Sequence, residues 1–345
     1  YNRRMLSIAH IIVLLCLVVA LAYALVDRLT IWLKARNMLD IPNERSSHVV
    51  ATPRGGGLVI IVLGVACLII QSTTSLTPRL FLVFAALWTA WGALSWLDDT
   101  LELSAKKRFA IQFILAFTTV GLIGWVNELE WSADRAISLG WLGFFLSAVG
   151  LVWITNLYNF MGGIDGLAAS QSIVAAVTFG FWFFTQGGTE LAMLCWVVAA
   201  SSYAFLLHNW QPAKVFMGDV GSIGLGFFFG LMLIIGHNRY GIPVLSSVML
   251  LMVFIADTML TLVRRAYRRE ALLQAHRSHY YQRLVIAGCS HRAVVTGYCA
   301  AMVLASVFAS IGIFAPELLI PLFVGLASIM LLGAVAIASW TRSKY

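Results

Sequence analysis

Long apolar runs separated by short polar segments make up most of this chain. A membrane-spanning helix needs about 20 mostly apolar residues, and its backbone polar groups must be bonded within the segment. The pattern therefore predicts an all-α polytopic integral membrane protein with about eleven transmembrane helices. We place the helices near residues 7–27, 57–72, 80–97, 109–126, 141–158, 167–185, 189–207, 222–236, 242–263, 293–315 and 317–340.

The composition excludes a soluble globular class. Of 345 residues, 61% are hydrophobic and only 11% are charged, whereas soluble domains carry about 25% charged residues. The net charge of +8 does not indicate nucleic-acid binding, because the basic residues lie between apolar runs. There they set topology and meet anionic head groups or phosphates. We find no internal repeat and no soluble segment, so residues 1–345 are predicted to form one membrane domain.

Basic residues also predict the orientation. With the N-terminus outside and the C-terminus in the cytoplasm, all but five of the 23 lysines and arginines fall on the cytoplasmic side, as the positive-inside rule requires. The same orientation places every unusual polar cluster on the cytoplasmic face, after the first, third, fifth, seventh and ninth helices. We therefore expect the active site there. The five exceptions are Arg3, Arg4, Arg79, Arg135 and Arg239.

The first polar cluster combines basic residues with a triple glycine. Arg45, His48 and Arg54 precede or adjoin glycines 55–57 at the start of the second apolar run. Glycines permit close backbone approach, and free amides at a helix start suit an anion. A flexible start to the helix is an equally good interpretation of the glycines. His48 and Arg54 are candidates for substrate binding.

The second cluster is a pair of adjacent carboxylates, Asp98 and Asp99, followed by Lys106 and Arg108. Two carboxylates at a helix C-terminus repel each other and oppose the helix dipole, so a cation or a proton is needed to relieve them. This arrangement suits a metal ion or a general base. Lys106 and Arg108 are candidates for binding a phosphate, or they anchor the helix on the positive side.

The third and fourth clusters offer oxygen ligands. Asn156 and Asn159 are three residues apart and share a helical face, and Asp165 follows a glycine turn. Asp219 immediately precedes another apolar run, where it is either an N-terminal cap or a metal ligand. Amide and carboxylate oxygens suit Mg²⁺.

The fifth cluster follows the ninth apolar run. Asp257 and Arg264 are seven residues apart on one helical face, and we expect the aspartate to orient the arginine. Paired histidines with arginines fit diphosphate recognition better than a zinc site, because no cysteine or carboxylate lies at ligand spacing. The candidates for substrate binding in this cluster are Arg264, Arg265, His276, Arg277 and His279. Together the five clusters predict Mg²⁺-dependent chemistry between a lipid in the membrane and a soluble phosphorylated donor.

The motifs resemble those of the polyprenyl-phosphate N-acetylhexosamine-1-phosphate transferases, in the same order and over nearly the whole chain. A softer likeness is to the branch that initiates O-antigen with N-acetylfucosamine or N-acetylquinovosamine phosphate. The matching segments are Pro53-Arg54-Gly-Gly-Gly57, Leu97-Asp98-Asp99, Leu103-Ser-Ala-Lys106, Asn159-x-x-x-Gly163-Ile-Asp165-Gly166, Phe216-Met-Gly-Asp219-x-Gly-Ser222 and His276-Arg-Ser-His279.

The resemblance implies transfer of a sugar 1-phosphate from a UDP-N-acetylhexosamine to undecaprenyl phosphate, with release of UMP, in the bacterial inner membrane. Asp219 and Asn159 would bind Mg²⁺ (or Mn²⁺), and Asp98 would act as base or organise the lipid phosphate with support from Asp99. Asn156 and Asp165 would contact the nucleotide. The expected partners are the two substrates and membrane lipids, and a homodimer stays open.

Gly162 departs from the family pattern, because bacterial members usually carry an acid at that position. A catalytically impaired member therefore remains an alternative. A nucleotide-sugar transporter is the rival from another class, and it predicts charges near mid-membrane and repeated halves. Only Asp257 is a clear intramembrane charge, and no repeat is present.

Overall fold

The computed structural model describes residues 8–42, 50–101, 103–132, 135–271 and 276–342. Helices form almost all of the regular structure, and two short hairpins account for the strands. The helices are α1 (Ile8–Ala35), α2 (Leu58–Thr74), α3 (Pro78–Leu101), α4 (Ala105–Ile123), α5 (Gly140–Phe160), α6 (Leu167–Thr185), α7 (Thr189–Asn209), α8 (Gly218–Tyr240), α9 (Val244–Leu250), α10 (Met252–Tyr267), α11 (Tyr280–Ile286), α12 (His291–Phe314) and α13 (Leu319–Arg342).

The helices confirm a nearly all-α, polytopic membrane protein. Within the described ranges, eight helices are long and apolar enough to cross a membrane, and α9 with α10, bent by 77°, makes up to nine. Helix α2 has only 17 residues, and α4 carries Lys106, Lys107 and Arg108 in its first turn, so neither passes by length and composition. Each predicted apolar run nevertheless corresponds to a helix or to the bent pair. The count of eleven spans and the orientation stay predictions.

Helix α8 is the centre of the bundle. It packs against α3 and α5, and nearly all of its apolar residues are buried. Trp88 of α3 donates a hydrogen bond from Nε1 to the carbonyl of Gly224 at 2.8 Å and stacks on Phe228. A Cβ on Gly226 would lie 2.6 Å from the Cα of Thr155 in α5, so glycine is needed for this packing. The bundle thus holds the N-terminus of α8 in a fixed position.

Two antiparallel hairpins were not predicted. Strand β1 (Leu39–Asp40) pairs with β2 (Thr52–Pro53), and β3 (Glu128–Ser132) pairs with β4 (Arg135–Ser138). The first hairpin matters for the site, because residue 54 follows it directly and forms a parallel bridge with Phe216. The predicted substrate residue His48, with Arg45, lies outside the described residues.

Candidate active site

The triple glycine 55–57 binds protein backbone. Its three amides donate hydrogen bonds to the carbonyls of Phe216 and Met217 at 2.9–3.1 Å. The expectation that these amides suit an anion is therefore wrong for this structure, because each is already bonded. The expectation of close backbone approach is confirmed, since a Cβ on Gly57 would lie 2.5 Å from the Cα of Gly221 in α8.

This contact brings Arg54 to the start of α8, where two carboxylates meet it. Its guanidinium Nη2 lies 3.0 Å from Oδ1 of Asp99 and donates a hydrogen bond to Oδ1 of Asp219. Burial lowers the pKa of Arg54, but the charges of Asp219 and Asp99 outweigh this and raise the pKa above its usual value. The arginine is thus a permanent counter-ion for the carboxylate pair.

Asp99 also binds the end of α8 directly. Its Oδ2 accepts hydrogen bonds from the amides of Asp219 at 3.0 Å and Val220 at 3.4 Å. The first amides of a helix have no partner within the helix, and the positive end of the helix dipole favours an anion there. The carboxylate at the end of α3 therefore completes the N-terminus of α8, and the α3–α8 packing fixes both acids.

Asp98 faces a different partner. It is buried, and its Oδ2 accepts a hydrogen bond from Nη1 of Arg108, in the first turn of α4, at 3.0 Å. Lys106 in the same turn is exposed. Separate arginines thus offset the repulsion between the two adjacent acids. The sequence predicted that a cation or a proton is needed for this. The basic first turn of α4 therefore lies beside Asp98 and Asp99.

The asparagines of α5 reach two neighbouring helices. Oδ1 of Asn159 accepts a hydrogen bond from the Ser222 hydroxyl in α8 at 2.9 Å. Asn156 is buried and donates from Nδ2 to Oε1 of Gln112 in α4 at 2.8 Å. Sequence reasoning singled out both asparagines but not these partners, because nothing local in the chain links them.

Asp165, in the turn between α5 and α6, is also held by the protein. Its Oδ2 accepts a hydrogen bond from the amide of Ala213 at 3.2 Å, and Nδ1 of His291 lies 3.4 Å from that oxygen. His291 was missed from sequence, since it lies 126 residues away from Asp165. The next residue, Gly166, donates its amide to Oδ1 of Asn209 at 2.9 Å.

The histidine loop, residues 276–279, packs onto α10. His279 is buried, and its Nδ1 lies 3.0 Å from Oδ1 of Asp257. Asp257 therefore orients His279 and not Arg264, so that expectation is wrong. Arg264 instead donates from Nη2 to the carbonyl of Ser278 at 2.6 Å.

The remaining residues of the fifth cluster differ in exposure. Arg265 is buried and pairs with Glu270 at 3.0 Å, whereas Arg277 is exposed. His276 bonds to the Ser278 hydroxyl at 3.0 Å. Burial, followed by the nearby His279, Arg265 and Arg264, lowers the pKa of His276 to about 4. The exposed members, His276 in part and Arg277 fully, are the ones placed to meet a soluble ligand.

A divalent cation fits the carboxylate pair at α8. Among the described residues, no group of three His, Cys, Asp or Glu side chains is arranged to hold a metal. Mg²⁺, however, is commonly held by one or two carboxylates, with waters and substrate phosphates completing its octahedron. Oδ1 of Asp99 is buried, and its close contact is Nη2 of Arg54 at 3.0 Å, the same group that meets Oδ1 of Asp219. Asp99 and Asp219 would supply two oxygen ligands to such an ion by exchanging their contact with Arg54, and Asn159 adjoins them through Ser222.

These contacts define a class: a multi-pass membrane protein with a charged, oxygen-rich site at one end of its helices. The chain belongs to glycosyl transferase family 4, whose family model matches residues 79–237, and the resemblance drawn from the motifs is confirmed.

Three related proteins have names that state an activity. The chain is 32% identical to the probable undecaprenyl-phosphate N-acetylglucosaminyl 1-phosphate transferase of Bacillus subtilis, over 84% of this chain and 81% of that protein. It is 31% identical to the decaprenyl-phosphate N-acetylglucosaminephosphotransferase of Mycolicibacterium smegmatis, over 74% and 70%. It is also 31% identical to the phospho-N-acetylmuramoyl-pentapeptide-transferase of Moorella thermoacetica, over 64% and 72%.

Proposed function

We propose that this chain is a polyprenyl-phosphate sugar-1-phosphate transferase of the bacterial inner membrane. It takes an N-acetylhexosamine 1-phosphate from a UDP-sugar, passes it to undecaprenyl phosphate and releases UMP. Family membership and the relatives' names support the reaction class. The first step of O-antigen or another surface polysaccharide is the proposed place of this reaction.

The observation that carries the proposal is the arrangement of Asp99 and Asp219 around Arg54 at the N-terminus of α8. A reaction between two phosphates brings several negative charges together. Its catalysis rests mainly on positioning and charge neutralisation. A cationic group between paired acids, beside the basic turn of α4, is suited to that task.

In the proposed reaction, an oxygen of the lipid phosphate attacks the sugar-linked phosphorus of the UDP-sugar. One phosphorus–oxygen bond forms, the bond to the bridging oxygen breaks, and UMP leaves with that oxygen. Mg²⁺ (or Mn²⁺) held by Asp99 and Asp219 would supply charge neutralisation for the diphosphate. Asn159 would support this site through Ser222.

Asp98 is better suited to organising the acceptor than to removing a proton. It fixes the guanidinium of Arg108 beside the exposed Lys106, and these two cations would receive the lipid phosphate. A phosphate monoester has a second pKa of about 6, so its attacking oxygen is already ionised near pH 7. Asn156, Asp165 and Arg54 are proposed to shape the nucleotide side of the site. His276 and Arg277 are proposed to meet the donor diphosphate or sugar, and Arg264, Arg265 and His279 to hold their loop against α10. His48 stays a proposed substrate-binding residue.

The test is UMP release by the purified protein with undecaprenyl phosphate and Mg²⁺. The donor panel comprises UDP-N-acetylglucosamine, UDP-N-acetylfucosamine and UDP-N-acetylquinovosamine. We expect UMP only when both the lipid phosphate and one UDP-sugar are present. Transport of UDP-sugar into liposomes without UMP formation would contradict the enzyme and favour the transporter.

A further inference from the structure

The buried carboxylate of Asp257 has no part in the chemistry proposed above. It lies in α10, where only 4% of the residue is exposed, and five donors surround it, one of them the Thr261 hydroxyl 3.5 Å from Oδ1. Oδ1 accepts from Nδ1 of His279 and the amide of Tyr280, both at 3.0 Å. Oδ2 accepts from the amide of Tyr281 at 3.0 Å and the hydroxyl of Tyr298 at 2.6 Å.

These hydrogen bonds occupy the acceptor positions of the Asp257 carboxylate. An ionised carboxylate has about four acceptor positions, and here each is taken by a donor of the chain itself. Asp257 is therefore not placed to bind a metal ion or to take a proton from substrate. It ties three separate parts together: α10, the junction of the histidine loop with α11, and α12 through Tyr298.

A second contact continues from α11 to the nucleotide side of the site. The hydroxyl of Tyr281 donates a hydrogen bond to the carbonyl of Phe160, the last residue of α5, at 2.8 Å. A Cβ on Gly163 would lie 2.3 Å from that hydroxyl, so the turn after α5 is shaped to receive the tyrosine. The amide of Tyr281 is held by Asp257 while its ring supports the α5–α6 turn.

We propose that Asp257 is a positioning residue that sets the distance between the histidine loop and the α5–α6 turn, with Tyr281 as the spacer between them. The ligand whose site is fixed in this way is the diphosphate of a nucleotide sugar. It would lie between the loop that carries His276 and Arg277 and the turn that carries Asp165. The identity of that ligand rests on the proposed function, whereas the spacing between the histidine loop and the α5–α6 turn does not.

The first experiment uses steady-state kinetics on Tyr298→Phe and Asp257→Asn. Tyr298→Phe removes one donor and keeps the ring, while Asp257→Asn replaces one acceptor oxygen by a donor. We expect the KM for UDP-N-acetylglucosamine, or for whichever donor of the panel is active, to rise at least about 10-fold. The kcat at saturating donor and the KM for undecaprenyl phosphate should stay within about 3-fold.

Ser310→Ala is the matched control. Its hydroxyl accepts a hydrogen bond from Nε1 of Trp182 at 3.0 Å, so the change also removes one contact of α12 with another helix. It leaves the loop untouched, and its donor KM should equal that of the wild type. If Tyr298→Phe and Asp257→Asn lower thermal stability but leave the donor KM unchanged, the positioning role is overturned. Should Asp257→Asn fail to fold, Tyr298→Phe decides alone.

Amide hydrogen exchange separates this inference from the proposed function. Exchange of peptides covering residues 276–286 should be faster in both variants than in the wild type, and unchanged in Ser310→Ala. This readout needs no substrate. A wild type that releases no UMP with any donor would remove the proposed reaction, while protection of the loop by Asp257 would still be measured. Unchanged exchange in both variants would overturn the positioning role whatever the activity.

Discussion

Asp98 and Asp99 are neighbours in sequence, yet their carboxylates hold different helices. Asp98 pairs with Arg108 in α4, and Asp99 accepts from the first amides of α8. Asp98 therefore belongs to the side of the site proposed for the lipid phosphate, and Asp99 to the side proposed for the metal ion. Substitutions at the two positions should therefore have different kinetic signatures.

Asp98→Asn should lower turnover by at least about 100-fold, the scale of losing one preorganised electrostatic contact in an active site. The physical reason is that Arg108 loses its anionic partner and its fixed orientation toward the lipid phosphate. The measurement is UMP release at varied undecaprenyl phosphate, with folding checked by thermal unfolding. Near-normal turnover in a folded variant would reduce Asp98 to a structural partner of Arg108.

Asp219→Asn should raise the Mg²⁺ concentration needed for half-maximal UMP release, because an amide is a weaker ligand for a hard cation than a carboxylate. The fold should survive, since the side chain keeps its shape and the main-chain amide still bonds to Asp99. A Mg²⁺ titration of activity for wild type and variant gives the comparison. A superimposable Mg²⁺ curve would remove Asp219 from the metal site.

Arg54→Ala should make thermal stability depend on Mg²⁺ more strongly than in the wild type. Without the guanidinium, Asp99 and Asp219 face each other with no other positive side chain of the described residues between them. A cation that binds the folded state then stabilises it by mass action. Thermal unfolding with and without Mg²⁺ checks this without any substrate. Equal Mg²⁺ responses in the two proteins would show that the acids do not share a cation site.

Gly162 and Gly163 should differ in how much stability each loses on substitution by alanine. A Cβ on Gly163 meets the Tyr281 hydroxyl at 2.3 Å, whereas the nearest atom to a Cβ on Gly162 is the carbonyl oxygen of Asn159 at 3.4 Å. Gly163→Ala should therefore cost about 1–3 kcal/mol of stability through overpacking, and Gly162→Ala should cost much less. Thermal unfolding of the two alanine variants is the test.

The room at Gly162 also permits Gly162→Asp, which restores the acid usual in bacterial members. If the missing carboxylate limits this enzyme, turnover or Mg²⁺ affinity should increase in the variant. Unaltered UMP release in the variant would show that this chain works without that carboxylate. UMP release by the wild type would itself exclude a catalytically impaired protein.

His276 should add an acid-sensitive component to stability. Its pKa in the folded state is about 4, below the usual value near 6.5. Between these values the unfolded chain binds the extra proton and the folded chain does not. Stability therefore rises as pH increases from 4 to 6.5. In His276→Gln, the Tm should fall less on acidification from pH 6.5 to 4.5 than in wild type. Parallel Tm curves for the two proteins would contradict the lowered pKa.

Helix positions followed from the sequence because apolar length is a local property. The predicted eighth span, 222–236, was shorter than α8, Gly218–Tyr240, since polar residues such as Asp219 and Arg239 lie within the helix ends. The partners of Asp257 in α10 were harder to predict. Spacing alone suggested Asp257 with Arg264, while the fold supplied His279 and Tyr298 from later in the chain.

The site was predictable as a set of residues but not as a set of contacts. Paired acids, amides and basic residues at the ends of apolar runs pointed to Asp99, Asn159 and Asp219. The pairings of Asp165 with His291 and of Asn159 with Ser222 depend on which helices are neighbours. The glycines at 55–57 signalled close approach, but only the fold shows that their partner is the backbone before and at the start of α8.

The contact between Arg54 and Asp219 has a consequence for biogenesis. The two residues are 165 positions apart, so at about 5–20 residues per second the ribosome needs roughly 10 to 30 s to deliver the second after the first. During that interval Arg54 and Asp99 have only early partners, and α8, the central helix, has yet to enter the membrane. Insertion of α8 then supplies the late partners of Arg54 and Asp99, and truncation before residue 218 should leave the contacts of α3 and α5 with α8 unformed.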